Sequence, residues 1–215
     1  MDLAILRKGY RLIGIDEVGR GPIAGPVVAC AVFIDYTHEK FLTLLTEFGV
    51  TDSKKLSSPK RLKILSSLGI DLYTLKTEKI YKMPSFSFML TEESPEVIDE
   101  INILQASLKS MKRASDHLLN EKSWLLIDGN KTFESKAEIV EAVVGGDAKS
   151  LAIALASIIA KEFRDEKMKA LAKIYPHYGF ETHAGYPTKK HKEALKEWGI
   201  TPIHRKSYAP VKGLL

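Results

Sequence analysis

The chain has 215 residues, of which 45% are hydrophobic and 27% are charged. These fractions are typical of a globular protein and exclude a disordered chain or a fibre, and the length suits one domain. No apolar run reaches the roughly 18 residues that a membrane span needs, so no membrane association is expected. The net charge of +5 favours polyanionic partners only weakly, because many basic proteins bind no nucleic acid.

The single cysteine, Cys30, lies in the apolar run 27–33 and is expected to be a small buried side chain. One cysteine cannot form a disulfide within the chain, which fits a reducing compartment. The first residues lack the apolar core of a signal peptide. We therefore expect a cytoplasmic protein.

The first elements in the chain form a predicted β-hairpin. Residues 10–16 alternate in polarity, the Gly- and Pro-rich segment 19–26 predicts a turn, and the β-branched run 27–34 predicts the second strand. Further on, Ser58 and Pro59 are typical of a helix start and predict a helix through Leu68.

The middle of the chain predicts extended segments, a long helix and two further strands. Residues 71–80 and 84–90 are predicted to be extended, and 95–119 to be an amphipathic helix. The apolar run 124–129 predicts a buried central strand that ends at an aspartate, and 138–145 predicts another strand.

Helices are predicted for the last third of the chain. Residues 150–174 form the longest one, and its first half is apolar all round and should be buried against the sheet. A last helix is predicted over 188–197, ended by Gly199. The order of elements predicts an α/β fold with a mixed sheet flanked by helices. We expect one domain over 1–215, with 188–215 as a C-terminal helical segment packed on it.

Three aspartates follow or precede apolar segments. Asp16 ends the first predicted strand, Asp128 ends the central one, and Asp147 lies just before the buried helix. Carboxylates gathered at strand ends repel one another, and a hard divalent cation such as Mg²⁺ or Mn²⁺ relieves that repulsion. The alternative is that each is only a turn or cap residue.

Glu17 follows Asp16 directly, so both side chains can reach one metal only if the chain turns there. Residues 19–24 also match the dinucleotide-binding pattern GxGxxA. We reject that interpretation because a helix must follow the pattern, whereas Pro22, Pro26 and a β-branched run follow here.

Several motifs together resemble bacterial ribonuclease HII, in the family's order and over nearly the whole chain. The matching segments are Ile15-Asp16-Glu17-Val18-Gly19-Arg20-Gly21-Pro22, Ala24-Gly25-Pro26-Val27, Asp52-Ser53-Lys54-Lys55-Leu56, Ile127-Asp128-Gly129-Asn130, Gly146-Asp147, Ala156-Ser157-Ile158-Ile159-Ala160-Lys161, Arg164-Asp165, Tyr175-Pro176, His183, Gly185-Tyr186, Thr188, His191 and His204-Arg205.

The resemblance implies a ribonuclease H-like fold and assigns roles to individual residues. The four implied catalytic and metal-binding carboxylates are Asp16, Glu17, Asp128 and Asp147. The residues implied to bind substrate are Gly19, Arg20 and Gly21, which would recognise the 2′-hydroxyl at an RNA–DNA junction, Tyr186, which would pack against the neighbouring deoxyribose, and Lys54, which would contact a phosphate. A 2′-hydroxyl is the group that distinguishes RNA from DNA.

The implied activity is that of a two-metal endonuclease. It would hydrolyse the RNA strand of RNA–DNA hybrids and cut 5′ to single ribonucleotides in duplex DNA, leaving a 3′-hydroxyl and a 5′-phosphate. The resemblance also implies a monomer and a role in ribonucleotide excision repair. Two alternatives stay open: another nuclease or strand transferase with the ribonuclease H fold, and a hybrid-binding module whose carboxylates are structural.

The chain departs from the family pattern around Tyr186. Ala184 stands where relatives often carry a lysine, which removes one possible phosphate contact, and Pro187 stiffens the loop. The related HIII type has Gly-Lys-Gly at the place of Gly-Arg-Gly here. Asp165 is assigned a structural role, pairing on the helix that it shares with Arg164.

Overall fold

A six-stranded mixed sheet forms the centre of the computed structural model, which describes residues 1–215. The strands are β1 (Arg11–Val18), β2 (Val27–Ile34), β3 (Ile80–Lys82), β4 (Ser87–Glu93), β5 (Ser123–Asp128) and β6 (Ile139–Val143). Across the sheet their order is β3-β4-β2-β1-β5-β6. The first four strands pair antiparallel, whereas β5 pairs parallel with β1 and β6 parallel with β5. The predicted α/β class with a mixed sheet is confirmed.

Eight α-helices accompany the sheet. They are α1 (Asp2–Arg7), α2 (Lys40–Glu47), α3 (Ser58–Ser67), α4 (Pro95–Asp116), α5 (Leu151–Ile174), α6 (Phe180–His183), α7 (Lys189–Trp198) and α8 (Ala209–Lys212). None of them is both long and apolar enough to cross a membrane.

The two faces of the sheet bury different helices, because successive side chains of a strand point to opposite sides. Leu12 belongs to the larger apolar cluster, which includes the first half of α5. Ile13 and Ile15 belong to a second cluster, on the face covered by α4. On the α5 face, a Cβ atom at Gly14 would lie 2.5 Å from the backbone of Ala152. Glycine at this position therefore lets α5 approach β1 closely.

The C-terminal helices form a third apolar cluster beside the turn that follows β1. Phe180 and Leu195 are buried there together with Met168 of α5 and Ile23 of the turn. An isolated antiparallel bridge joins Ala24 to His204. The C-terminal segment is thereby attached directly to the loop between β1 and β2.

Most of the predicted elements are present, and the β1–β2 hairpin and the buried first half of α5 are confirmed. Cys30 is fully buried, as predicted. The prediction of an extended segment over 71–80 is wrong: Leu72–Thr74 is a 3₁₀ turn, because the Asp71 side chain accepts a hydrogen bond from the Tyr73 amide. The helices α1 and α2 were not predicted. Helix α4 is interrupted at Asn102, whose φ is 65°.

Candidate active site

Two of the predicted carboxylates lie near the carboxyl ends of neighbouring parallel strands: Asp128 ends β5, and Asp16 lies two residues before the end of β1. Ile15 of β1 is paired with Ile127 of β5, so the next residues, Asp16 and Asp128, lie side by side at one edge of the sheet. Asp147 reaches the same place from the 3₁₀ turn that precedes α5. The Gly146 amide in that turn donates a hydrogen bond of 2.6 Å to Asp128 Oδ1. The structure therefore brings three chain segments together at this edge.

Asp16 is the most deeply buried of these groups, with 7% of its surface exposed. Its Oδ1 accepts a hydrogen bond of 2.7 Å from the Glu17 amide. Burial, followed by repulsion from Glu17 and Asp128, raises the pKa of Asp16 well above its usual value. The ionised form of Asp16 is therefore costly in the folded chain.

Glu17 is still within β1, which continues to Val18, so the chain turns only after both acidic residues. Its Oε1 accepts a hydrogen bond of 3.3 Å from Arg20, whereas Oε2 is buried without a partner. Burial and the charge of Asp128 raise the pKa of Glu17, and the Arg20 guanidinium acts in the opposite direction. Glu17 thus presents an oxygen that nothing else in the chain engages.

Asp147 lies opposite a second 3₁₀ turn, Ser53–Lys55. Burial and repulsion by Asp52 and Asp128 raise the pKa of Asp147, and the ammonium group of Lys54 partly offsets this. Lys54, the predicted phosphate contact, is thus a neighbour of the carboxylate cluster. Asp52 is a fifth carboxylate here.

Hydrogen bonds attach the turn that carries Lys54 to helix α5. The hydroxyl groups of Ser53 and Ser157 lie 2.9 Å apart. Arg61 donates to the Ser53 carbonyl at 2.9 Å and to the buried Glu162 of α5 at 2.6 Å. Asp165, one turn further along α5, pairs with Lys161. Asp165 therefore has the expected ion pair within its own helix.

The carboxylates have the chemistry of a divalent cation site, but their side chains are not positioned around a common point. No group of three or more His, Cys, Asp or Glu side chains is arranged as a metal site. However, the donors are all oxygens, and Glu17 Oε2 lacks a partner. Burial, together with repulsion among the carboxylates, raises the pKa of Asp16, Glu17 and Asp147. Hard cations such as Mg²⁺ and Mn²⁺ bind such oxygen donors and would relieve the repulsion.

The predicted sugar-recognition residues are also brought together. A Cβ atom at Gly21 would lie 3.2 Å from the ring of Tyr186, so the Gly-Arg-Gly turn (residues 19–21) borders the tyrosine. The Ile23 amide donates to the Gly185 carbonyl at 2.9 Å. Gly185 has a φ of 85°, and a Cβ there would meet the Ala24 carbonyl at 2.5 Å. Glycine at 185 therefore allows the Tyr186 loop to pack against the turn.

Comparison with known proteins shows the family to which the chain belongs. The sequence model described as Ribonuclease HII matches residues 13–211. The chain belongs to the ribonuclease HII family. It is 44% identical over 207 residues to the ribonuclease HII of Marinomonas sp., covering 96% of this chain and 94% of that protein. It is 45% identical over 202 residues to that of Chloroherpeton thalassium, covering 94% and 91%.

Solved structures share the fold of this ribonuclease HII chain. The ribonuclease H2 of Pyrococcus horikoshii OT3 superposes with a TM-score of 0.76 at 26% identity, covering 95% of this chain and 97% of that one. Bst-RNase HIII in complex with Mn²⁺ superposes with a TM-score of 0.62 at 18% identity, covering 97% and 70%. The chain is a ribonuclease H enzyme that cleaves the RNA strand of RNA–DNA hybrids.

Two features of this ribonuclease HII site were not predicted as such. Asp52 was part of a matching motif but was not predicted to lie at the site, although its position two residues before Lys54 could have indicated this. Arg205 was likewise only a motif position, yet it contacts the Gly-Arg-Gly turn directly. No local pattern indicates such a contact, because Arg205 is 185 residues away from Arg20.

Proposed function

We propose that this enzyme cuts on the 5′ side of a single ribonucleotide in duplex DNA, in addition to cleaving longer hybrids, and leaves a 3′-hydroxyl and a 5′-phosphate. The observation that carries the proposal is the proximity of the Gly-Arg-Gly turn to Tyr186. A turn that can approach a sugar edge, next to an aromatic ring that can pack on the adjacent sugar, suits recognition of one 2′-hydroxyl.

We further propose that the reaction uses two divalent cations, Mg²⁺ or Mn²⁺. The residues that would hold them are Asp16, Glu17, Asp128 and Asp147. Such cations activate a water molecule and stabilise the leaving 3′-oxygen. The all-oxygen donor set and the unpartnered Glu17 Oε2 support this, and an RNase HIII with the same fold was solved with Mn²⁺.

The chain's own groups bind and orient the substrate. The Arg20 side chain and the exposed part of the Gly-Arg-Gly backbone would face the ribose. Tyr186 would pack against the next sugar, and Lys54 would contact a phosphate near the carboxylates. The cleft of about 600 Å³ beside Tyr186 gives the nucleic acid room on that side. We also propose that the enzyme acts as a monomer in the cytoplasm, with a part in ribonucleotide excision repair.

The test is cleavage of an end-labelled DNA duplex that contains one ribonucleotide, in Mg²⁺ or Mn²⁺. An all-DNA duplex, a long RNA–DNA hybrid and an EDTA sample are run beside it. We expect one metal-dependent cut on the 5′ side of the ribonucleotide. Cleavage of the long hybrid alone would refute single-ribonucleotide recognition while leaving the hydrolase activity in place.

The carboxylate assignment is tested with Asp128→Asn and a matched control. Asp116→Asn changes an exposed carboxylate that pairs with Lys112 at the end of α4. We expect Asp128→Asn to lose nearly all turnover and to keep duplex binding, while Asp116→Asn behaves like the unmodified enzyme. If Asp128→Asn kept more than about a tenth of the rate, which is a barrier change of under about 1.4 kcal/mol, Asp128 would not be a metal ligand.

A further inference from the structure

Arg205 and Tyr208 hold the carbonyl oxygens of the Gly-Arg-Gly turn. Arg205 donates to the Gly19 carbonyl at 2.6 Å and to the Arg20 carbonyl at 3.1 Å. The Tyr208 hydroxyl donates to the same Arg20 carbonyl at 2.7 Å. Arg205 is fully buried, and its remaining hydrogen bonds go to the Gly25 carbonyl and to the Tyr208 hydroxyl. We call Arg205 and Tyr208 the carbonyl clamp.

The clamp determines where the amide groups of the turn point. In a trans peptide the C=O and the following N–H point in opposite directions, and the chain has no cis peptide bond. With the Gly19 carbonyl drawn inward to Arg205, the Arg20 N–H faces outward; with the Arg20 carbonyl drawn inward, the Gly21 N–H faces outward. Neither amide donates a hydrogen bond within the chain, and both residues are exposed.

We propose that Arg205 and Tyr208 are positioning residues for ribonucleotide recognition: they orient the Arg20 and Gly21 amides as two outward donors for the ribose. The inference rests on the proposed function, because it assumes that the turn reads a 2′-hydroxyl. Arg205, of the His204-Arg205 motif, and Tyr208 thereby receive a function in substrate recognition that is separate from metal binding by the carboxylates.

The clamp is itself anchored on both sides. The Asp99 carboxylate of α4 accepts hydrogen bonds from the Lys206 amide at 2.8 Å and from the Ser207 amide at 2.9 Å. The Arg205 amide donates to the Ile23 carbonyl at 2.9 Å. A fixed clamp can keep the two amide donors in place before the substrate binds. Binding then requires little further loss of conformational entropy in the turn.

A guanidinium removed from water is costly unless its donors are satisfied, and here backbone carbonyls and a tyrosine hydroxyl satisfy them. Arg164 acts in the same way next to the clamp. It donates to the carbonyls of Pro26, Ala24 and Ala184, which joins the β1–β2 loop to the segment before Tyr186. Two buried positive charges therefore lie behind the surface that we propose meets the nucleic acid backbone.

The test compares affinities in the Asp128→Asn background, in which the duplex is bound and not cut. The quantity measured is the preference, meaning the Kd for an all-DNA duplex divided by the Kd for the same duplex with one ribonucleotide. The variants are Tyr208→Phe, which removes one hydroxyl and should fold, and Arg205→Gln. The matched control is Tyr178→Phe, which removes a hydroxyl bonded to the Gly199 carbonyl in the same C-terminal cluster.

We expect Tyr208→Phe to lower the preference by about 3- to 10-fold and Arg205→Gln by more, with all-DNA affinity unchanged within about twofold. Tyr178→Phe should leave the preference unchanged. A purely structural role would lower both affinities together and leave the preference as it was, which overturns the clamp. A parent protein without any preference would instead refute the proposed recognition of a single ribonucleotide, and the clamp's function with it.

Discussion

Asp16 combines burial with two acidic neighbours, and it has few partners that could compensate its charge. Its carboxylate accepts a hydrogen bond from the Glu17 amide, while Glu17 and Asp128 repel it. A carboxyl group with a raised pKa binds its proton more tightly in the folded chain than in the unfolded one. The folded protein therefore loses stability as the pH rises above about 4, where the unfolded group ionises.

Asp16→Asn should accordingly have opposite effects on activity and stability. We expect almost no cleavage, because a proposed metal ligand loses its charge, and a higher thermal midpoint of the metal-free protein at pH 7. The gain in midpoint should shrink as the pH falls toward 4. Each kcal/mol of added stability should raise the midpoint by about 2–4 °C. Thermal scans from pH 4 to 7 with chelator present, beside cleavage assays, measure both. A lower midpoint than the unmodified protein at pH 7 would contradict this account.

Some residues of the site could be predicted from the sequence and others could not. Asp16, Asp128 and Asp147 could be picked out because each adjoins an apolar segment that had to be buried. Arg205 could not, since its partners are backbone carbonyls of a distant turn, which no side-chain pattern announces. The turn that Asp16 and Glu17 would need in order to share one metal comes only after Val18, because the strand pairing extends one residue beyond the acidic pair.

Helix α4 consists of two helical pieces joined at Asn102. Its backbone, with φ 65° and ψ 163°, is a conformation that glycine adopts far more easily than other residues. The Asn102 side chain accepts hydrogen bonds from the amides of Leu104 and Gln105, as at the start of a new helix. The first piece carries Asp99, which anchors the segment of the carbonyl clamp.

Two substitutions separate the cap from the backbone strain at this break. Asn102→Ala loses the cap and keeps a side chain at positive φ, so we expect it to destabilise the fold by about 2 kcal/mol. Asn102→Gly loses the cap alone and should cost less, because glycine tolerates this φ. Urea unfolding of the three proteins measures the difference. An equal loss for both variants would show that the positive φ contributes nothing.

The elements that were missed or misassigned share a physical cause. Helices α1 and α2 have six and eight residues and no side-chain cap bond, so neither length nor capping gave a signal. The segment 71–80 has β-forming residues, but the Asp71 side chain accepts a local hydrogen bond from the Tyr73 amide and closes a 3₁₀ turn instead. Long periodic elements such as α5 were predicted well because tertiary packing and local preference agree there.

For the whole molecule, a buried histidine pair couples the C-terminal segment to the Tyr186 loop. The Nε2 atoms of His191 and His204 lie 3.0 Å apart, and His191 Nδ1 contacts the Tyr186 carbonyl at 2.9 Å. Burial lowers the pKa of His191 to about 4 and that of His204 to about 4. Both rings are neutral in the folded protein at pH 7, so one can donate to the other.

This pair predicts a loss of stability in acid. Because both pKa values are lowered on folding, their contribution is complete above about pH 6.5 and is lost as the pH falls toward 4. Asp16 acts in the opposite direction in this range, so the measurement is made in Asp16→Asn. We expect the free energy of unfolding of Asp16→Asn to fall as the pH is lowered from 7.5 to 5. The fall should be smaller in the double variant Asp16→Asn/His191→Gln. Equal pH dependence with and without His191 would be inconsistent with a neutral pair.

The distance in sequence between the Gly-Arg-Gly turn and its clamp has a consequence for synthesis of the protein. Arg205 follows Arg20 by 185 residues, whereas all four proposed metal ligands precede α5. Chains emerge from the ribosome N-terminal end first. A nascent chain therefore contains all four proposed metal ligands well before Arg205 and Tyr208 have been made. If the proposed clamp orients the amides that read the ribose, discrimination between RNA and DNA would be the last property that the growing chain acquires.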